Sequence, residues 1–330
     1  MPPPGISLVI PLRNEADSLP ELWRTIQARS TPPDETVLID GGSTDRTVAL
    51  ATRLAAADPR VRLVEAGDAT PGRGRNIGIA AASHDWLALT DGGIVLEPSW
   101  LEELVLARDR DPATQVVYGH YEPLISSFFV RCAALAYVGL LNDTPAGNLR
   151  GPTVASMLLH RSAWTAAGGF PDRRATEDLV FISALDSPGL GIAWAPAAIV
   201  WWEPRRSLVA TFRRFSLCST MAVQTGRHRD WHHQIVKKYL FAVPFVALAS
   251  TRHWAWGVVP AAGGAARVTA SIWRRRETRG LQWLLNPFQF LGVAVVILTI
   301  DAATFLGWAR ALLIKARVPS TGAVDQARIP

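Results

Sequence analysis

The first hundred residues alternate short apolar runs with helically spaced segments. Four runs read as strands: ISLVI (Ile6–Ile10), TVLID (Thr36–Asp40), VRLVE (Val61–Glu65) and WLALT (Trp86–Thr90). Between them lie three predicted helices, Ser18–Arg29, Ser43–Ala57 and Gly74–Ser83. Ser18 with Glu21 three residues on reads as a capping box. Such alternation predicts an α/β fold with a mostly parallel sheet and helices on both faces. Ligands of these sheets bind beyond the carboxyl ends of the strands. The loops to read are therefore PLRNE, DGGSTD, GDATPGRGRN and TDGG.

Past Trp100 the pattern changes. Ser126–Leu141 is a nearly uncharged helical run, and Ala155–His160 a further strand. Glu177 and Asp178 open another helix, tryptophan-rich short strands follow it, and Ser207–Arg227 is an amphipathic helix bearing Arg213 and Arg214. Then come Tyr239–Ser250, Trp254–Ala266 and Phe288–Ile300, more apolar than a soluble helix requires. A bilayer span takes roughly 20 apolar residues. The third segment reaches that if it continues through Asp301 to Trp308. The expectation is at least one span in a membrane-associated helical region; the competing reading is a buried helical bundle. The division expected is a catalytic domain over residues 1–230, hydrophobic helices over 231–315 and a disordered tail over 316–330.

The net charge is +6, and Lys237, Lys238 and Lys315 are the three lysines among 34 basic residues. Basic clusters flank the apolar segments, as at a cytoplasmic membrane face. That placement argues against a nucleic-acid partner, which would need a basic groove. Cys132 and Cys218 have no repeated spacing, so neither a disulfide framework nor a zinc site is expected. The start, MPPPGISLVIPL, lacks the charged and long apolar regions of a signal peptide. The cell membrane, with the catalytic domain on the cytoplasmic side, is the expected location.

The strand-end loops carry the chemistry of an anionic ligand. Arg13, Asn14 and Glu15 follow the first strand; Asp40 precedes two glycines and a helix start, where backbone N–H groups face anions. Arg73 and Arg75 sit in a stretch read as a glycine-loosened loop, and Asp91 closes the fourth strand. Each has a plain alternative, Asp40 as a helix cap and the arginines as solvated surface. The set, on one sheet edge, describes a nucleotide pocket.

In its order of motifs the chain resembles the family 2 glycosyltransferases of GT-A fold over about residues 5–230. The carriers are SLVIPLRNEADSLPELWRTI, VLIDGGSTDRT, GRGRNIGIAAA, WLALTDGGIVLEPSWLEEL, AWTAAGGF and TEDLVF. The resemblance implies that Pro11, Asn14 and Glu15 line the nucleoside end of a nucleotide-diphosphate sugar site. It places Asp40 against base and ribose, and Arg75 and Asn76 near ribose and diphosphate. Asp91 takes the first place of the Asp-X-Asp motif, toward ribose and metal, and Asp178 beside Glu177 matches the general base. Two positions depart from the pattern: Gly41 stands where a second acid adjoins Asp40, and Gly93 where the second aspartate of Asp-X-Asp binds Mg²⁺ or Mn²⁺. A divalent cation is still expected, on Asp91 with Glu97 or Asp178 as further acids. Arg205, Arg206, Arg213 and Arg214 are alternative cations for the leaving diphosphate, Arg213 and Arg214 foremost. FRRFSL lacks the tryptophan of the processive polymerases, so the resemblance implies transfer of a single sugar, by direct displacement with inversion, to a lipid-linked or envelope-glycan acceptor near membrane lipids. A non-catalytic membrane partner with a degenerate metal site is the competing reading. A nucleotidyltransferase would want a basic glycine-rich loop after the first strand, which PLRNEAD is not.

Overall fold

The structure, a computed structural model, describes residues 4–28, 31–144, 147–186, 189–226, 228–276, 283 and 285–317. The alternation is present as β1 (Ile6–Leu12), α1 (Leu19–Gln27), β2 (Glu35–Asp40), α2 (Thr47–Ala57), β3 (Val61–Glu65), α3 (Pro71–Ala81) and β4 (Trp86–Leu89). Then follow β5 (Ile94–Leu96), α4 (Trp100–Asp109), β6 (Thr114–Pro123), α5 (Phe128–Tyr137), and the hairpin β7 (Asn142–Thr144) and β8 (Gly147–Leu149). β9 (Met157–His160), α6 (Arg161–Ala166), α7 (Glu177–Leu185) and β10 (Gly191–Trp202) complete the first unit. Beyond them, among the described residues, lie the α-helices α8 (Leu208–Gln224), α9 (His228–Thr251), α10 (Val258–Arg274) and α11 (Pro287–Arg317).

The eight-stranded sheet has the order β3-β2-β1-β4-β9-β6-β10-β5. β1 pairs in parallel with β2 and β4, β2 with β3 and β6 with β10, while β9 runs against both of its neighbours and β5 against β10. Side-chain alternation sorts the core onto the two faces. Leu8, Ile10 and Leu12 join Leu22, Trp100 and Leu104 on one face, and Val9 joins Val37, Ile39, Ile79 and Phe181 on the other. Both faces are covered, which is why these strands read as unbroken apolar runs.

Several boundaries differ from the sequence reading. Ser18 makes no side-chain cap on α1; its hydroxyl donates to the carboxylate of Glu15, so the capping box does not form. α2 begins at Thr47 instead of Ser43, because residues 40–46 are spent on a tight loop. α3 begins at Pro71, with the Thr70 hydroxyl accepting from the Arg73 amide, so PGRGRN is helix and not loop. The long helical run past Ser126 shortens to α5, and the tryptophan-rich strands are one bulged strand, β10.

The chain divides after Pro204 instead of near residue 230. One unit is residues 4–204 with 274–276, and the other takes Arg205–Trp273 and the described residues from 283 onward. α8 goes with the last helices because it packs along α11 through Gly307, where an added Cβ would lie 2.3 Å from the Ser216 carbonyl oxygen. Ser219 and Thr220 donate to the carbonyls of Thr304 and Gly307 at 2.7 and 3.0 Å. Within this unit Asp301 is buried, doubly bonded by Arg267 and reached by the Tyr239 hydroxyl at 2.9 Å. Among the described residues, one helix qualifies as a membrane span by length and composition, Pro287–Ile314. α9 contains Pro244 within its apolar half. The expected tail lies outside the described residues beyond Arg317, as do 277–280 of the second basic cluster.

Candidate functional site

The site is assembled at the carboxyl edge of β1, β2 and β4 and the amino ends of α3 and α7. After β1 the chain turns at Asn14, which holds a left-handed conformation (φ 56°) that asparagine tolerates better than most residues. Its amide donates to the Ser43 hydroxyl at 2.9 Å and its Oδ1 accepts from the Thr44 amide at 2.8 Å. Asn14 thereby ties the first loop to the second. The carboxylate of Asp40 accepts from the amides of Gly42 and Ser43 at 2.9 and 3.0 Å, closing its own loop. Gly42 has φ 81°, and a Cβ there would lie 2.9 Å from the Gly67 carbonyl. At Gly41 a Cβ would stand 3.0 Å from the Ala69 carbonyl. The loop after β3 presses on this pair and leaves little room for a side chain at either position.

Sequence reasoning missed the clamp across these loops. Arg13 donates to the Gly41 carbonyl at 2.8 Å and to Asp68 at 2.6 Å, and Arg174 meets the same Asp68 oxygen at 2.9 Å. Arg13 was visible in PLRNE, but its partners lie 28 and 55 residues away, beyond any local pattern.

α3 places Arg75 in the interior. Its glycines serve close packing: a Cβ on Gly72 would lie 2.2 Å from the Pro171 carbonyl. Arg75 is 5% exposed. Its Nη1 donates to Glu177 at 3.1 Å and its Nη2 to Asp91 at 2.5 Å, with the guanidinium 5.5 Å from the centre of the Phe170 ring. Burial alone would lower the guanidinium; the charges of Asp91 and Glu177 outweigh it and hold the group above its ordinary value. Burial raises the carboxyl of Glu177, the Asp178 charge adds to the rise, and Arg75 opposes it. Three elements, β4, α3 and α7, thus meet in one ionic chain carrying two acids to one base. Arg75 Nε and the hydroxyls of Thr90 and Thr176 are buried there without a hydrogen-bond partner.

Glu177 and Asp178 occupy the first turn of α7, as the sequence suggested. Thr176 before them has φ 67°, a strained setting for a β-branched residue of the kind found at functional sites. The Glu177 side chain turns inward to Arg75, while Asp178 is half-buried and accepts from the Leu179 amide at 2.8 Å. Asn76 is engaged by the Phe170 segment and Trp164. Its carboxamide donates to the Phe170 carbonyl at 2.7 Å and accepts from the Phe170 amide and the Trp164 indole at 2.9 and 3.0 Å. Pro11 is half-buried in β1 opposite Ile39.

The two glycines after Asp91 make room for Glu15. A Cβ on Gly92 would lie 2.7 Å from Glu15 Cγ, and one on Gly93 3.6 Å from Glu15 Oε2. The carboxylate of Glu15 therefore stands beside the position where a second aspartate was expected. Glu97, the other acid considered, accepts from the Trp201 indole at 2.8 Å. Among the described residues no three His, Cys, Asp or Glu side chains converge as a resident cation would need. Mg²⁺ and Mn²⁺ with phosphate ligands need one or two carboxylates, and Asp91, whose other oxygen is not taken by Arg75, suits a cation arriving with a diphosphate. Arg213 and Arg214 lie on α8 in the second unit, both exposed.

Known proteins share this architecture and sequence. The profile described as Glycosyl transferase family 2 matches residues 7–154. The succinoglycan biosynthesis protein ExoA of Rhizobium meliloti (strain 1021) is 26% identical over 318 residues, covering 93% of this chain and 94% of its own. The poly-beta-1,6-N-acetyl-D-glucosamine synthase of Staphylococcus aureus (strain MW2) is 23% identical over 209 residues, covering 60% of this chain and 49% of its own. The mannosyltransferase PcManGT of Pyrobaculum calidifontis, solved with GDP-Man and Mn²⁺, superposes with a TM-score of 0.55 at 18% identity over 94% of this chain and 88% of its own. With the strand-end site and the parallel half-sheet, these likenesses make residues 7–154 a match to glycosyl transferase family 2 and the chain a glycosyltransferase with the GT-A fold.

Proposed function

We propose that this enzyme moves one sugar from a nucleotide-diphosphate sugar to a lipid-linked or envelope-glycan acceptor at the cytoplasmic membrane face, inverting the anomeric centre. The observation that carries the reading is the ionic chain Asp91–Arg75–Glu177, which fixes the β4 edge against the start of α7. With Glu177 held by Arg75, the half-buried Asp178 is the carboxylate left to act as base. It takes the acceptor hydroxyl's proton while that oxygen attacks the anomeric carbon and the sugar–phosphate bond breaks. One base and one leaving group make a single displacement, hence inversion.

Pro11, Asn14, Glu15 and Asp40 would line the nucleoside, with Arg75 and Asp91 toward ribose and diphosphate. Asn76 acts by holding the Phe170 segment that packs on Arg75. A divalent cation, when bound with the donor on Asp91, supplies positive charge to the departing diphosphate. Relatives named for succinoglycan biosynthesis and for poly-N-acetylglucosamine synthesis support an acceptor in an extracellular polysaccharide pathway. Against the non-catalytic reading stand the match to glycosyl transferase family 2 over residues 7–154, which contains Asp91, and the intact pair Glu177–Asp178. The test is nucleoside diphosphate release by purified protein from UDP-, GDP- and dTDP-sugars, with and without Mn²⁺. One nucleotide should stand out; no release from any of them, with acceptor-containing membranes present, overturns the reading.

A further inference from the structure

In the second unit, α8 and α11 border two adjoining open hollows of about 410 and 440 Å³ that share Arg213 and Arg310. Each is of the size of a small-ligand site. Leu208, Val209, Phe212 and Thr299 wall the first; Leu217, Leu313 and Ile314 wall the second. The walls are thus almost wholly apolar, and the two guanidiniums are the charges in them. Arg310 lies within the helix whose composition suits a bilayer, Pro287–Ile314. An ionisable group on such a helix marks a site and needs an opposite charge. Asp301, nine residues earlier, has its own partner in Arg267. Arg310 reaches the Ser216 hydroxyl at 3.4 Å, and neither it nor Arg213 meets a carboxylate among the described residues. From Thr299 to Arg310 the groove follows α11 for roughly 16 Å at 1.5 Å per residue, a length fit for an extended hydrocarbon chain.

We propose that this groove binds the phosphate head of a long-chain lipid, with the phosphate on Arg213 and Arg310 and the chain along the apolar walls between α8 and α11. Arginine matches phosphate because its planar fork offers paired donors and it stays charged at any working pH. The groove would hold the lipid end of the acceptor, and in that respect it rests on the lipid-linked reading above. It also gives Arg213 an anion other than the donor's diphosphate, the role suggested for it by sequence.

The test uses the full chain in detergent micelles and three probes: hexadecyl phosphate, hexadecanol and inorganic phosphate. Hexadecyl phosphate should bind at least tenfold more tightly than either of the others. Arg213→Gln and Arg310→Gln should each weaken it about tenfold, the scale of one lost hydrogen bond to a charged group. Arg310→Lys, which keeps the charge, should recover part of that loss. Equal binding of hexadecanol would point to a purely apolar occupant, such as a second copy of the chain, and overturn the proposal. So would equal binding of inorganic phosphate, wild-type affinity in the Gln variants, or equal loss in the Lys variant. Nucleotide-sugar binding is read on the same wild-type sample. Donor binding without selective lipid-phosphate binding overturns this inference alone; the converse overturns the proposed function alone.

Discussion

At Arg75 one guanidinium meets Glu177 through Nη1 and Asp91 through Nη2, so Arg75→Met leaves Glu177 buried without its counter-charge. Removing one partner of a buried pair costs about 3–5 kcal/mol, and urea unfolding of the variant should show a loss of that order. Glu177 also sets a pH dependence. Its carboxyl is raised by burial, so the folded form holds the proton more tightly than the unfolded one. Stability therefore falls as pH climbs through the interval above the ordinary glutamate value, and Glu177→Gln should flatten that slope. Asp178→Asn should lower turnover by about 10²–10⁴, the usual worth of a positioned base, with donor affinity kept within a few-fold; near-normal turnover would remove Asp178 from that role. Gly93→Asp places a carboxylate beside Asp91 and near Glu15. Tighter Mn²⁺ binding without donor, followed by the paramagnetic resonance of free Mn²⁺, is the expected result.

Among the elements, α3 shows how close packing decides chemistry. Gly72 lets the first turn of α3 approach the Pro171 carbonyl, and the same turn delivers Arg75 to its two acids. Gly72→Ala forces backbone apart, because the blocking atom is a carbonyl and not a side-chain tip. Overpacking of this kind costs about 1–3 kcal/mol, and the variant should lose stability by denaturant titration together with donor affinity. PGRGRN reads as a loop because two glycines lower helix propensity, yet close tertiary contact with Pro171 rewards the first of them, Gly72. The failed capping box has a related cause. The Ser18 hydroxyl is taken by Glu15, whose place is fixed by Gly92 and Gly93 far along the chain.

For the whole molecule, the two units carry different surfaces. α9 exposes Leu240, Phe241, Val243 and Val246, and α11 exposes Phe288, Leu291 and Leu298, whereas the β-sheet unit buries its apolar runs on both faces. A chain ended at Pro204 should stay in the supernatant after ultracentrifugation, while the full chain pellets with membranes and needs detergent for release. Full-length chain in the supernatant would contradict membrane association through the second unit. The division falls after Pro204 because α8 offers Ser216, Ser219 and Thr220 to α11. Its amphipathic pattern announced a buried face but could not name the helix that covers it.

The sequence by itself determined the alternation of β1 to β4 with their helices, the edge at which the site forms, and the composition of the candidate span. Those features depend on periodicity and on loops next to strands, which are local and survive without knowing the fold. It also marked Asp40, Asp91 and Glu177–Asp178, because acids at strand and helix ends are visible as punctuation. Only the tertiary structure decided that Arg75 bridges Asp91 and Glu177, that Asn76 braces Phe170, and that Glu15 lies over Gly92 and Gly93. It alone joined Arg13 to Asp68 and put Arg213 beside Arg310. Each of these joins residues 16 to 102 positions apart, and such contacts are set by how packed layers bring distant segments together, a quantity no local pattern of hydrophobic and polar residues contains.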